Sequence, residues 1–211
     1  MTKQVRSEHT RARLVRSAAE LFDQHGFAGT NISDITRVAG VTKGALYFHF
    51  QAKEELVEAI QEQSCAKLGT AVAALEGESA VQALIDLTHT LEGWLATDPM
   101  VRASFRVARE CADRGAPFLD FSVSWSAAAT SLLTKAARDG QLAEDISVPL
   151  VVVTVLALSV GAESLCSSGL PGMDSTTLLA DVWRLFLPGL VGETRVAEFV
   201  PEGSFRPIPQ D

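Results

Sequence analysis

Apolar positions in the first sixty residues recur at the spacing of short amphipathic helices. Over residues 7–26, Leu14, Ala18, Leu21 and Phe22 form one stripe, with Arg6, Arg11, Arg13 and Arg16 on or near the polar side. Gly26 is expected to stop this helix, and Phe27 to fold back under it. Thr30 and Asn31 lead into a second helix, capped by Ser33 and carrying Ile35 and Val38 on one face. Gly40 ends that helix, since glycine reaches the left-handed conformation a tight turn needs. Val41 plugs the corner, and Thr42 caps a third helix with Lys43, Gly44, Ala45 and Tyr47 near its exposed start. Ile32, Ile35, Val38, Val41, Leu46 and Phe50 complete a three-helix core, and both Phe48 and Phe50 are expected inside it. The spacing of helix, glycine turn and helix is that of a helix-turn-helix, with an ordinary helical hairpin as the alternative.

Downstream the pattern stays helical. A long helix over 53–75 carries Leu56, Ile60 and Leu68, starts with Glu54 and Glu55 against its N-terminal dipole, and ends before Gly77. Further helices are expected at 80–96, 99–112, 118–138, 147–167 and 175–187. Breakers separate them: Asp98-Pro99, Gly115-Ala116-Pro117, Gly140, Gly169-Leu170-Pro171-Gly172 and a closing Pro188-Gly189. No sustained alternation, repeat or low-complexity tract interrupts this reading. The fold class is therefore all-α, with a helix-turn-helix module at 1–52, a larger helical body at 53–200 and a loose tail at 201–211. The 147–167 helix is apolar nearly all round, and 175–187 has a wide apolar arc. Such helices need two neighbours, either within one large core or across a subunit interface. Val155, Ala162, Leu178, Val182, Trp183 and Phe186 are the candidates for that interface.

Charge divides the chain in the same place. Residues 1–55 carry eight basic and six acidic groups, a balance of +2, which leaves −10 on the rest of a chain whose total is −8. A basic module on an acidic body suits DNA binding through the N-terminal face alone. Three cysteines without Cys-x-x-Cys spacing read as reduced thiols of a cytoplasmic protein. The polar N-terminus lacks an apolar signal region, and the longest charge-free run, Ile146–Ala162, is too short to span a bilayer, so no membrane partner is expected. His89 is the only histidine of the body, so neither a Ser-His-Asp arrangement nor a His-rich metal site is expected, and no phosphate-binding glycine loop is present. The expectation is no enzyme, no metal and no cofactor.

The stretch Leu21-Phe22…Gly26-Phe27…Thr30…Ile35…Ala39-Gly40-Val41-Thr42-Lys43-Gly44-Ala45-Leu46-Tyr47-Phe48-His49-Phe50…Lys53-Glu54-Glu55-Leu56 closely resembles the DNA-binding module of TetR-type transcriptional repressors. Within that family, Val-Thr-Lys-Gly-Ala-Leu-Tyr-Phe-His-Phe is similar to the γ-butyrolactone receptors of antibiotic-producing actinomycetes, as are Trp125 and the Asp-Val-Trp-Arg-Leu around Trp183. The resemblance implies a homodimer on a palindromic double-stranded operator, released by a small apolar effector: a lactone, furan, butenolide or antibiotic-like molecule. It implies Lys43 as base reader, since an ammonium at the start of a groove-lying helix reaches guanine O6 and N7. Thr42, Tyr47, His49 and Lys53 would meet phosphates, and Gly44 would let the backbone come close. Lys53→Ala is accordingly expected to weaken binding to all sequences alike.

In the body, the resemblance makes Trp125 a pocket residue, although a core role is open to it. Thr154, Ser159 and Glu163 are polar positions in an apolar helix; of these Thr154 and Glu163, with Gln61 and Gln63 on the long helix, are further candidates for ligand contact. A ligand held beneath the long helix would tilt it and move the recognition helices apart. A pseudo-receptor answering to an antibiotic or biosynthetic intermediate has the same pattern. An enzyme with an apolar pocket and a DNA-binding structural protein without a ligand are the other classes.

Overall fold

The computed structural model describes residues 3–168 and 175–204. Among the described residues every regular element is helical: α1 (Lys3–Gly29), α2 (Ile32–Ala39), α3 (Lys43–His49), α4 (Lys53–Ala74), α5 (Ala80–Thr97), α6 (Pro99–Glu110), α7 (Asp120–Arg138), α8 (Val148–Ser168) and α9 (Ser175–Val191), with short 3-10 turns at Ala112–Arg114 and Glu193–Glu198. No described helix is long and apolar enough to cross a membrane. The chain divides into two compact units, the first of residues 1–67 and 98–123, the second of 68–97 and 124–211. This division differs from the expected border at residue 52: the first half of α4 and all of α6 group with the N-terminal helices.

In the first unit, Leu14, Ala18, Leu21 and Phe22 of α1 pack with Ile35, Leu46 and Phe50 as predicted, and Val15, Leu56 and Ile60 join the same core. Ala103 and Val107 of α6 and Phe118 belong to the same core. The α1–α6 contact is pinned by charge. Arg102 pairs with Asp23 at 2.9 Å, and Arg106 donates to the Asp23 carbonyl at 2.6 Å. Gly26, at φ 74° and ψ 172°, lies outside the helical region and interrupts α1 where a stop was expected, and a last short turn follows to Gly29. That backbone region is essentially glycine's own, and Glu110 would have to shift for any Cβ there. Its carboxylate accepts from the Phe27 N–H at 2.8 Å, and a Cβ on Gly26 would stand 2.2 Å from that carboxylate.

Gln61 ties the middle of α6 to the start of α7. Its Nε2 donates to the carbonyls of Ser104 (3.3 Å) and Phe118 (2.9 Å), and its Oε1 accepts from the Phe121 N–H (2.9 Å). The side chain is fully buried. This corrects Gln61 as a ligand residue: it bonds the Ser104 carbonyl within α6 and satisfies the Phe118 carbonyl and Phe121 N–H at the start of α7, where orphan donors concentrate.

In the second unit α5 is the central helix, with most of Ala80–Leu95 buried and both α8 and α9 packed on it. Trp125 and Trp183 lie in this core. Helix α9 runs through Pro188 to Val191 instead of closing there. Proline removes one helical N–H and crowds the preceding turn, but burial of Leu187, Leu190 and Val191 carries the helix onward. The start of the tail is tied down rather than loose. Gln82 exchanges two hydrogen bonds with the Val200 backbone (2.8 and 3.2 Å), Asp86 accepts from the Ser204 N–H (2.8 Å), and His89 bonds the Pro201 carbonyl (2.8 Å). The rest of the expected tail lies outside the described residues.

Candidate functional site

The α2–α3 segment is built as its sequence requires. Asn31, not Ser33, caps α2, its side-chain oxygen accepting from the Asp34 N–H at 3.0 Å. At the other end Gly40 sits at φ 62°, ψ 40°; its N–H reaches the Arg37 carbonyl (3.2 Å) and the Val41 N–H reaches Thr36 (3.0 Å). This double bond pattern with a left-handed glycine closes the helix C-terminus. Thr42 then caps α3, its Oγ1 accepting from the Ala45 N–H at 3.1 Å. Arg13 of α1 donates to the Ala39 carbonyl, so this arginine braces the turn.

Leu46 and Phe50 turn α3 inward, and Lys43, Gly44, Tyr47 and Phe48 form its outward face. Phe48 is 76% exposed, which corrects its expected place in the core. At one residue from Tyr47 and four from Gly44 it shares their side of the helix, opposite Leu46. Val38 is likewise exposed rather than part of the core. Gly44 meets no steric demand inside the subunit. A Cβ there would touch only Thr42 Oγ1, at 3.9 Å, whereas glycine in a helix costs about 0.5–1 kcal/mol relative to alanine. His49 is half-buried, its ring edge-on to Phe48 at 5.0 Å.

Lys53 is placed differently from a phosphate-facing lysine. Its Nζ donates to the carbonyls of Phe27 (2.6 Å) and Thr30 (2.9 Å) and lies 4.0 Å from the centre of the Phe27 ring. Burial pulls this ammonium below the usual lysine range; Glu54 opposes that shift and Arg114 adds to it. The side chain clamps the end of α1 to the start of α4, a role for which a positive charge beside C-terminal carbonyls is well suited.

Within the second unit a small cavity is lined by Thr88, Leu91, Glu92 and Leu95 of α5, Val155, Leu158 and Ser159 of α8, and Leu179 and Trp183 of α9. It leaves a water molecule about 20 Å³ in which to move. Such a volume holds about one water, so anything larger must widen it. Trp183 donates its indole N–H to Thr88 Oγ1 at 2.8 Å, and Trp125, just behind the wall, donates to Ser159 Oγ at 3.2 Å.

Of the expected ligand residues, then, Trp125 reaches the cavity only through Ser159. Thr154 is half-buried and donates to the Leu150 carbonyl at 2.9 Å, away from the lining, and Gln63 is exposed. The Glu163 and Ala162 side chains lie outside the described residues. Val155 and Trp183, expected at a subunit interface, face the unit's own interior instead. The sequence reading missed Thr88 and Glu92, which stand among other polar residues of α5, namely Gln82, Asp86, His89 and Thr90.

Comparison with known proteins places this architecture. Residues 14–60 match the family described as bacterial regulatory proteins, tetR family, and residues 78–192 match the tetracyclin repressor-like C-terminal domain. The chain belongs to the TetR family. Its relatives include the A-factor receptor protein of Streptomyces griseus, 32% identical over 205 residues that span 96% of this chain and 71% of that protein. A γ-butyrolactone receptor (ArpA-like protein) of known structure superposes with a TM-score of 0.78 at 34% identity, covering 94% of this chain and 95% of that one. The TetR-family protein CprB from Streptomyces coelicolor, solved in complex with its biological operator sequence, gives 0.75 at 34% identity, covering 92% and 94%. The TetR-family protein is thus related to transcriptional regulators over nearly its whole length.

Proposed function

We propose that this TetR-family protein is a ligand-responsive transcriptional repressor that binds a palindromic operator as a homodimer and leaves it when a small apolar signal, such as a γ-butyrolactone, enters the cavity of the second unit. The outward face of α3 carries the proposal. Lys43, Gly44, Tyr47 and Phe48 project from a helix whose other side is anchored by Leu46 and Phe50, and they have no packing task in their own subunit. A recognition helix contacts base edges through its N-terminal residues. Lys43 supplies the donor for a guanine edge, Gly44 permits close backbone approach, and Phe48 offers apolar surface to a thymine methyl. Thr42, Tyr47 and His49 position the helix on phosphates. Lys53 acts one step back, by holding α1 and α4 together.

The homodimer reading rests on α8 and α9. Leu150 and Val153 are 65% and 61% exposed and Val160 lies on the same stripe; on α9, Leu178 is exposed and Leu185 is 84% exposed. Five large apolar side chains in solvent on two helices of one unit suit an isologous interface. Val182 and Phe186, half-buried beside them, extend it. A ligand that binds a widened cavity better shifts the population toward it, and it reduces DNA affinity only if that state holds the recognition helices less well spaced. The lining contains no paired acid and base beside a nucleophile, which supports a receptor over an enzyme. The test is a gel shift on the promoter beside the protein's own gene, with and without extract of the producing culture. Retardation that the extract abolishes is expected; retardation unaffected by any extract contradicts the ligand-responsive reading.

A further inference from the structure

The chain beyond α9 is fastened across two of the helices that line the cavity. Helix α9 ends at Val191, and the 3-10 turn Glu193–Glu198 packs back on it. Phe199 is buried, and a turn follows in which the Gly203 N–H reaches the Val200 carbonyl at 3.0 Å. Pro201 presets the second position of that turn. Gly203 takes φ 82°, and a Cβ there would stand 3.3 Å from the His89 ring. Gln82, Asp86 and His89 recur at the spacing of one face of α5, and all three hold this turn. Gln82 accepts from the Val200 N–H at 2.8 Å and donates to its carbonyl at 3.2 Å. His89 Nε2 donates to the Pro201 carbonyl at 2.8 Å. The buried Asp86 carboxylate accepts the N–H of Ser204 at 2.8 Å and its hydroxyl as well. From α9, Arg184 pairs with Glu202. Arg184 stands about two helical turns before the end of α9, so the chain has come back along that helix before it crosses to α5. On the inner side of the same two helices, the Trp183 indole donates to the Thr88 hydroxyl at 2.8 Å. Arg184 follows Trp183 and His89 follows Thr88, so the outer tie crosses the α5–α9 seam at the level of the inner one.

We propose that residues 199–204 are a clasp on the α5–α9 seam, which holds the cavity narrow and sets how readily it admits an effector. The proposal rests on the reading of the cavity as the effector site and adds what controls its opening. The cavity has room for about one water, so an effector must part its walls. The clasp is rooted in α9 by the covalent chain and by Arg184, and it grips α5 through Gln82, Asp86 and His89. Moving α9 away from α5 therefore pulls the turn off its grips. The Asp86 carboxylate then loses the N–H and hydroxyl of Ser204, and hydrogen bonds to a charged group are the stronger kind. A ligand that binds only the open form has its apparent affinity reduced by the fraction of molecules that are open. Loosening the clasp raises that fraction, so it raises the affinity although no residue of the clasp lines the cavity. Gln82, Asp86, His89 and Arg184 are likewise absent from the lining, and they act as positioning residues.

The experiment uses the full-length protein without DNA and γ-octalactone as the probe. Gly203→Val combined with Ser204→Glu releases the clasp: the first crowds His89 and strains the turn, and the second sets a carboxylate against Asp86. Calorimetric titration is expected to show at least about tenfold tighter binding to this variant than to the unaltered protein. Hydrogen exchange without ligand, read by mass spectrometry, is expected to be at least about tenfold faster in α9, with α7 unchanged. Gly203→Val alone, the milder change, should move both readouts in the same direction. A tail that only stabilised the fold would give faster exchange without tighter binding. Equal or weaker binding to the released variant therefore overturns the clasp while leaving the cavity as the ligand site, and so does unchanged exchange in α9. Leu158→Trp, which fills the cavity, should remove binding. Absence of binding to every form, or binding that survives Leu158→Trp, overturns the reading of the cavity itself, and the role of the clasp with it.

Discussion

Replacing Lys53 with methionine separates a clamp from a phosphate contact. Methionine keeps an unbranched apolar stem of similar length and removes the ammonium, and with it the bonds to the Phe27 and Thr30 carbonyls and the approach to the Phe27 ring. Hydrogen bonds to a charged group contribute about 1.5–3 kcal/mol each. Lys53 is only half-buried, so solvent screening reduces the pair to about 1–3 kcal/mol in all. The desolvation that lowers its pKa acts in the same direction, as a cost already present in the native state. For a chain of this size that loss lowers Tm by about 2–10 °C. A lysine on a phosphate behaves otherwise. Each such contact contributes about 0.9 to the slope of log binding constant against log salt, so a dimer with two of them loses about 1.8 when both are removed. The assays are thermal unfolding by circular dichroism and operator titration by fluorescence anisotropy at several salt concentrations. The clamp predicts a lower Tm and an unchanged salt slope. An unchanged Tm with a slope reduced by about 1.8 would refute it and restore Lys53 to the phosphates.

Three further substitutions probe the same unit. Lys43→Ala should narrow the affinity gap between operator and scrambled duplexes by about tenfold with little change in Tm, because base contacts specify whereas phosphate contacts position; equal losses on both duplexes would show that Lys43 reads no base. Gly44→Ala should leave Tm unchanged or slightly raised, since the new methyl meets only Thr42 Oγ1, yet weaken operator binding about tenfold in an anisotropy titration; unimpaired binding would remove the close-approach role. Gly26→Ala should cost about 2–4 kcal/mol in urea unfolding, because it combines a backbone region reserved for glycine with displacement of the Glu110 carboxylate from the Phe27 N–H; a loss below about 1 kcal/mol would contradict that geometry.

What the sequence made legible was local. The glycine at 40, the threonine cap at 42 and the apolar spacing of Leu46 and Phe50 each act within a few residues, and the structure has them as read. Ser33 was read as the cap of α2, but the helix starts two residues earlier and Asn31 caps it. Phe48 was misplaced because hydrophobicity was taken as burial, although its neighbours Leu46 and Phe50 already fill the inward side of a helix of seven residues. Non-local partners were not legible. Lys53 and Gln61 both have the composition of surface groups, and each is used by carbonyls more than twenty residues away in sequence. The same holds for Val155 and Trp183: an apolar helix face does not announce whether its neighbour is the same chain or another. Ser159, a polar position in an apolar helix, was a legible trace of the cavity, whereas Thr88 and Glu92 were hidden among the other polar residues of α5.

The central claim is that a ligand in the second unit's cavity governs operator binding by α3. It is tested most directly by titrating operator duplex with the unaltered protein and with Leu158→Trp, each with and without saturating effector purified from the producing culture. The account predicts equal operator affinity for the two proteins without effector, and release by effector of the unaltered protein alone. Release of Leu158→Trp at the same effector concentration would contradict it.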